Sequence, residues 1–158
     1  MLSLQITDIK HFMNCLLSGE TFDRFYLVEA SVRMGISYHL DGHLNKDFYS
    51  TDMEIHRDYC FWKEAKPFLF QIIKGKQLPL GCRIVLALPD SSKAFLLKES
   101  NSPFSPEDIE GIYLNILFEP GNLRLTSGIS YRTFSLDKSL EHSVTDHLTS
   151  FLKEQGIC

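Results

Sequence analysis

No stretch of the 158-residue chain approaches the ~20 consecutive apolar residues that a membrane-spanning helix requires. An excess of positive charge is missing too: 16 Lys and Arg stand against 20 Asp and Glu, a net of −4 with no basic tail. Tight nucleic-acid binding leaves a basic footprint, and the chain as a whole carries none. Cysteine is sparse. Cys15, Cys60, Cys82 and Cys158 lie far apart with no CxxC pair, which excludes a zinc ribbon and a dense disulfide framework. They are expected to be reduced thiols, two or three of them buried like small hydrophobes. Met1 to Asp8 offer neither a basic n-region nor a long apolar core, so no secretory signal is expected and the expected setting is the cytoplasm. GxGxxG, GxSxG and HExxH are all lacking.

What remains is an ordinary globular composition, 44% hydrophobic and 23% charged, of a length that fits one domain over residues 1–158. Three segments carry helical periodicity. Ile9, Phe12, Met13, Leu16 and Leu17 form one stripe, with Thr7 as the expected cap and Gly19 as the expected left-handed stop. Residues 64–74 place Ala65, Phe68, Leu69, Ile72 and Ile73 inward, with Trp62 at the mouth and Pro67 near the first turn. Residues 138–155 carry Leu140, Val144, Leu148, Phe151 and Leu152, are capped by Asp137 or Ser139, and stop at Gly156. The expected buried set is Ile9, Phe12, Leu16, Ile72, Leu148 and Phe151.

Between the helices the period drops to two. Tyr26, Val28, Ala30, Val32 and Met34 alternate with outward Glu29, Ser31 and Arg33, and a turn at Gly35 leads to a second strand, Ile36 to Leu40. Arg83 to Leu88 reads as a nearly all-apolar strand, and Ile112 to Phe118 as a central one. Pro120-Gly121 fits a type II turn, and Leu123, Leu125, Ile129 and Tyr131 continue with Arg124, Thr126, Ser130 and Arg132 outside. Lys93 to Lys98 fits a strand or a helical turn equally well. Hairpin-connected strands imply an α+β fold, an antiparallel sheet with three helices on one side. Gly35-Ile36-Ser37-Tyr38 recurs as Gly128-Ile129-Ser130-Tyr131, a hint of internal duplication.

The phrases Ile6-Thr7-Asp8-Ile9-Lys10, Thr21-Phe22-Asp23-Arg24-Phe25, Asp41-Gly42-His43 and Ile72-Ile73-Lys74-Gly75-Lys76 resemble an uncharacterised bacterial family of small single-domain proteins of unknown function. The resemblance covers most of the chain and implies no activity, cofactor or catalytic residue. A likeness of topology alone links a repeated β-α-β-β-β plan to DNA sliding clamps, whose helices carry basic residues toward DNA. Residues 57–76 hold a net charge of +3, and Lys63, Lys66, Lys74 and Lys76 are the candidate binding residues on this reading. The bland alternative is a solvated helix face.

The sharpest polar pattern is His39-x-Asp41-x-His43 followed by Glu54-x-His56-x-Asp58. Alternate residues of a strand share a face, so two such triplets brought together offer N and O donors suited to Zn²⁺, Mn²⁺ or Fe²⁺. The competing explanation is the wet side of a half-buried sheet, and Asp41-Gly42 is also a favoured turn pair. Two functions follow. The preferred one is a non-enzymatic cytoplasmic binding or scaffold protein, clamp-like in its sharpest form, with a protein partner, a second copy or weak nucleic-acid binding. The alternative is a metal-dependent hydrolase built on His39, Asp41, His43, His56 and Asp58.

Overall fold

A computed structural model describes residues 1–50 and 55–158; Glu54 of the second polar triplet lies outside the described residues. Six strands, β1 (Ser3–Gln5), β2 (Tyr26–Arg33), β3 (Ser37–Asp41), β4 (Gly81–Ala87), β5 (Ile109–Glu119) and β6 (Asn122–Tyr131), form one antiparallel sheet in the order β1-β6-β5-β4-β2-β3. Helices α1 (Ile9–Leu17), α2 (Trp62–Ile73), α3 (Asp90–Glu99) and α4 (Ser139–Glu154) complete the α+β fold.

Alternation along the strands divides the two faces. Ala30, Val32, Ile84, Leu86, Ile112, Leu114, Leu123 and Leu125 point inward and are buried with Phe12, Leu16, Trp62, Leu69, Val144 and Leu148 of the helices. Arg83, Leu117 and Arg124 alternate with inward residues and are exposed on the other face, where Val85 is buried. Of the expected core set, Phe12, Leu16 and Leu148 are fully buried, while Ile9, Ile72 and Phe151 pack partly buried against the same cluster.

The structure corrects several local expectations. The described residues form four α-helices, not three, because Lys93–Lys98 belongs to α3; only Leu96 and Leu97 of that helix are buried, too short a stripe to show a period. Asp8, not Thr7, caps α1, its Oδ1 accepting from the His11 N–H at 3.0 Å. A carboxylate there answers the positive end of the helix dipole as well as an orphan N–H. Gly19 does not take a positive φ; the Ser18 and Gly19 N–H groups both return to the Asn14 carbonyl, at 3.0 and 2.7 Å. In α2 the buried positions are Trp62, Ala65 and Leu69, so Phe68 faces outward and is 65% exposed. Trp62 sets that phase, since the large indole takes the inward position at the start of the helix.

The strand register shifts twice, at Leu27/Glu29 of β2 and at Ile109/Gly111 of β5. Leu27 pairs with Leu86 and Glu29 with Val85, so Val28 is an extra residue and Leu27, rather than Val28, enters the core. Gly121 has φ +78°, as a type II turn demands, and Gly156 ends α4 at φ +70°. The element order does not repeat β-α-β-β-β, because α3 separates β4 from β5. Nor are the two Gly-Ile-Ser-Tyr copies equivalent: one runs from a turn into edge strand β3, the other ends the internal strand β6.

Candidate functional site

The four candidate lysines do not share one cationic face. Lys66 Nζ is tied to Asp23 Oδ1 at 2.6 Å and to the Gly19 carbonyl at 2.8 Å, with both charged side chains only 14% exposed. It is a structural cross-link between α2 and the turn before β2. Lys74 leaves the helix with ψ 144°, Lys76 lies in the following loop, and Lys63 stands alone of the four on the rim of a cavity.

The metal candidates come together in part. Residues 42–44 pair with 58–60 through Cys60 N–H to the Gly42 carbonyl and Leu44 N–H to the Asp58 carbonyl, both 2.8 Å. Gly42 is required for this passage, since a Cβ there would lie 1.8 Å from the Leu27 carbonyl oxygen. Asp41 Oδ1 accepts from the His43 backbone N–H at 2.9 Å and meets its ring Nδ1 at 2.8 Å. These hydrogen bonds hold the Asp41 carboxyl below its ordinary pKa. The His43 ring packs on Tyr59, 4.5 Å between centroids. His39 turns to Ser31 Oγ at 3.1 Å, and Asp58 takes Lys46 at 3.3 Å. His56 and Asp58 border a hollow of about 160 Å³ with Tyr26, Tyr59 and Tyr113. Among the described residues no three His, Cys, Asp or Glu side chains are grouped closely enough to hold a metal ion.

A larger cavity, about 680 Å³, opens where the α1–β2 turn, the start of α2, the β4–α3 junction and α4 meet. Phe25 and Leu88 are buried at its base, with Phe61, Pro89 and Phe151 along its sides. The Phe25 and Phe151 rings lie 5.6 Å apart in a cluster that continues to Phe22 and Phe12. Its walls are fixed by short-range chemistry. Glu64 Oε2 accepts from the Phe61 N–H at 2.7 Å, closing the first turn of α2, and both Glu64 oxygens take the Arg57 guanidinium at 2.8 and 3.1 Å. That guanidinium lies 4.3 Å over the Phe61 ring, whose other contact is a stacked Tyr26 at 5.3 Å. The Arg57 hydrogen bonds hold Glu64 below the ordinary carboxyl pKa, and the same bonds raise that of Arg57.

The rim separates committed from uncommitted charges. Asp23 is neutralised by Lys66 and Glu64 by Arg57. Arg24 and Lys63 make no ion pair among the described residues, and Glu20 is the remaining carboxylate. His147 of α4 and Ser92 of α3 complete the opening. Sequence reasoning reached Lys63 but missed Arg24, Phe25, Phe61 and Phe151 as one site. They come from three separate parts of the chain, and only the packing of α2 and α4 on the sheet brings them together.

No curated protein and no solved structure matches the chain, so the topological likeness to sliding clamps finds no support there. A family model does match, over residues 15–158, and it describes a family of unknown function (DUF5721).

Proposed function

The chain belongs to the DUF5721 family, and from its own geometry we propose that it is a binding protein whose cleft takes an amphipathic anion, a carboxylate or phosphate on an aryl or acyl group. The observation that carries this reading is the pairing of a buried apolar floor, Phe25 and Leu88, with two uncommitted cations, Arg24 and Lys63, at one mouth of about 680 Å³. Ligand sites combine a mostly apolar lining with a few convergent polar groups in just this size range. The apolar part of such a ligand displaces water from Phe25, Leu88 and Phe151, and its charge meets the rim. The cysteines at positions 15, 60, 82 and 158 are all free thiols, which supports a reducing, cytoplasmic setting.

Calorimetric titration with decanoate and 2-naphthoate tests the proposal. Saturable one-to-one binding, weakened about tenfold in Arg24→Gln/Lys63→Gln, is the expected result. Equal affinity in wild type and the double variant, or no saturable binding of either probe, overturns it.

A further inference from the structure

The open face of the sheet carries a second concavity, a depression of about 380 Å³ that shares no lining residue with the cleft. We propose that this depression, bounded by Arg33, Arg83 and Arg124, binds closely spaced phosphate groups.

Strand register explains why three arginines from β2, β4 and β6 meet there. Arg83 stands opposite Leu117 of β5, and Leu117 opposite Arg124, so Arg83 and Arg124 occupy one row two strands apart, ~10 Å between their Cα atoms. Arg33 stands opposite Gly81, one row along the same face. Gly81 is the seat of the arrangement. A Cβ at that position would lie 2.6 Å from Arg33 Nη2 and 3.2 Å from its Nε, so the guanidinium lies across β4 at Gly81, on the border of the depression.

The charges there are unbalanced. Arg83 is paired with Glu29 at 2.7 Å, but Arg33 and Arg124 make no ion pair among the described residues. Three guanidinium groups stand there against two carboxylates, Glu119 in the lining and Glu29 on Arg83, on a chain whose net charge is −4. Each guanidinium presents five N–H donors in a rigid fork that matches oxyanions two bonds at a time. The free forks of Arg33 and Arg124, with the donors that Arg83 keeps beyond its bond to Glu29, exceed the roughly four acceptor sites of a carboxylate, whereas adjoining phosphates supply enough. The phosphates belong either to a free diphosphate or to the backbone of a single-stranded nucleic acid laid on the sheet.

Pyrophosphate titration at low salt is the test, with dT10 as a second arm. The expected result is saturable pyrophosphate binding, weakened at least about tenfold in Arg33→Gln/Arg124→Gln. Gly81→Ala is the control for folding: the nearest atoms to its added Cβ belong to the far end of the Arg33 side chain, so the melting temperature stays at the wild-type value while affinity falls. Decanoate binding to the cleft is unchanged in these variants, which keeps the two sites distinguishable. If dT10 binds with the same variant dependence and a log–log salt slope near −2, about −0.7 for each of three phosphates, the source is a nucleic-acid backbone. If only pyrophosphate binds, it is a free diphosphate. Absence of saturable pyrophosphate binding, or wild-type affinity in both the double variant and Gly81→Ala, overturns the proposal.

Discussion

The indole Nε1 of Trp62 donates to the main-chain carbonyl of Leu16 at 2.8 Å, and both residues are fully buried. Leu16 lies in the last turn of α1, where carbonyls have no intrahelical partner, so the first residue of α2 satisfies the end of α1. Trp62→Phe removes the donor, strands that carbonyl and leaves a void beside it. The expected cost is about 2–4 kcal/mol, read from urea denaturation. A loss under 0.5 kcal/mol, on the scale of a surface substitution, contradicts this role.

Lys66 and Asp23 form the other cross-link of that region, and they are nearly enclosed. Removing one member of such a pair leaves an uncompensated charge. Lys66→Met is therefore expected to destabilise by about 3 kcal/mol, and Lys66→Met/Asp23→Leu by less than the single variant. If the double variant is the weaker of the two, the penalty does not come from the stranded carboxylate.

The Arg57–Glu64 fork makes stability depend on pH in one direction. Glu64 titrates below its ordinary value of 4.5 in the folded chain, so its contribution is complete above that value and lost as pH falls through the lower, folded one. Wild type and Glu64→Gln should differ by a constant margin from pH 7 down to about 5, and the margin should close below it. Because the Glu64 side chain is 46% exposed, the margin is small and salt reduces it. A margin that widens on acidification reverses the sign and removes the fork from the account.

Two glycines of the sheet region give opposite expectations. At Gly42 a Cβ meets main-chain atoms of Leu27 at 1.8 and 2.6 Å, which cannot move without breaking β2 pairing. Gly42→Ala should cost at least ~3 kcal/mol, whereas Gly81→Ala, which displaces only a side-chain tip, should cost under ~0.5 kcal/mol. Thermal denaturation of the two variants side by side measures the contrast.

Much of the fold was legible because its elements repeat a period long enough to read. The Leu140, Val144, Leu148 and Leu152 stripe runs through all of α4, and the β5–β6 hairpin has a Pro-Gly turn between two apolar runs. α3 was not legible, with two adjacent buried leucines and Phe95 53% exposed. The bulge at Val28 was also hidden, since Leu27 and Val28 are both apolar and either phase satisfies the pattern. The sites were less visible still. Arg33 and Arg124 read correctly as outward residues, but that they share one depression depends on β2 and β6 being joined through β4 and β5, an order no local pattern specifies. Asp23 as the partner of Lys66 lies 43 positions away, beyond any periodicity.

The pairing of β1 with β6 has a consequence in time. The Leu2 N–H meets Ser127 Oγ from 125 positions away, so the earliest-made strand completes the sheet against one of the last. At ~5–20 residues per second a ribosome needs about 6–25 s to deliver β6 after β1 has been made. Throughout that interval Leu2, Leu4 and Ile6 have no sheet to join, while the β2–β3 hairpin closes over a short loop as soon as it emerges. Closing so long a loop is entropically the last favourable step, so β1 docks as a latch on a nearly finished β-sheet. Nascent chains stalled before residue 122 therefore carry their first strand undocked, a ready target for chaperones and proteases.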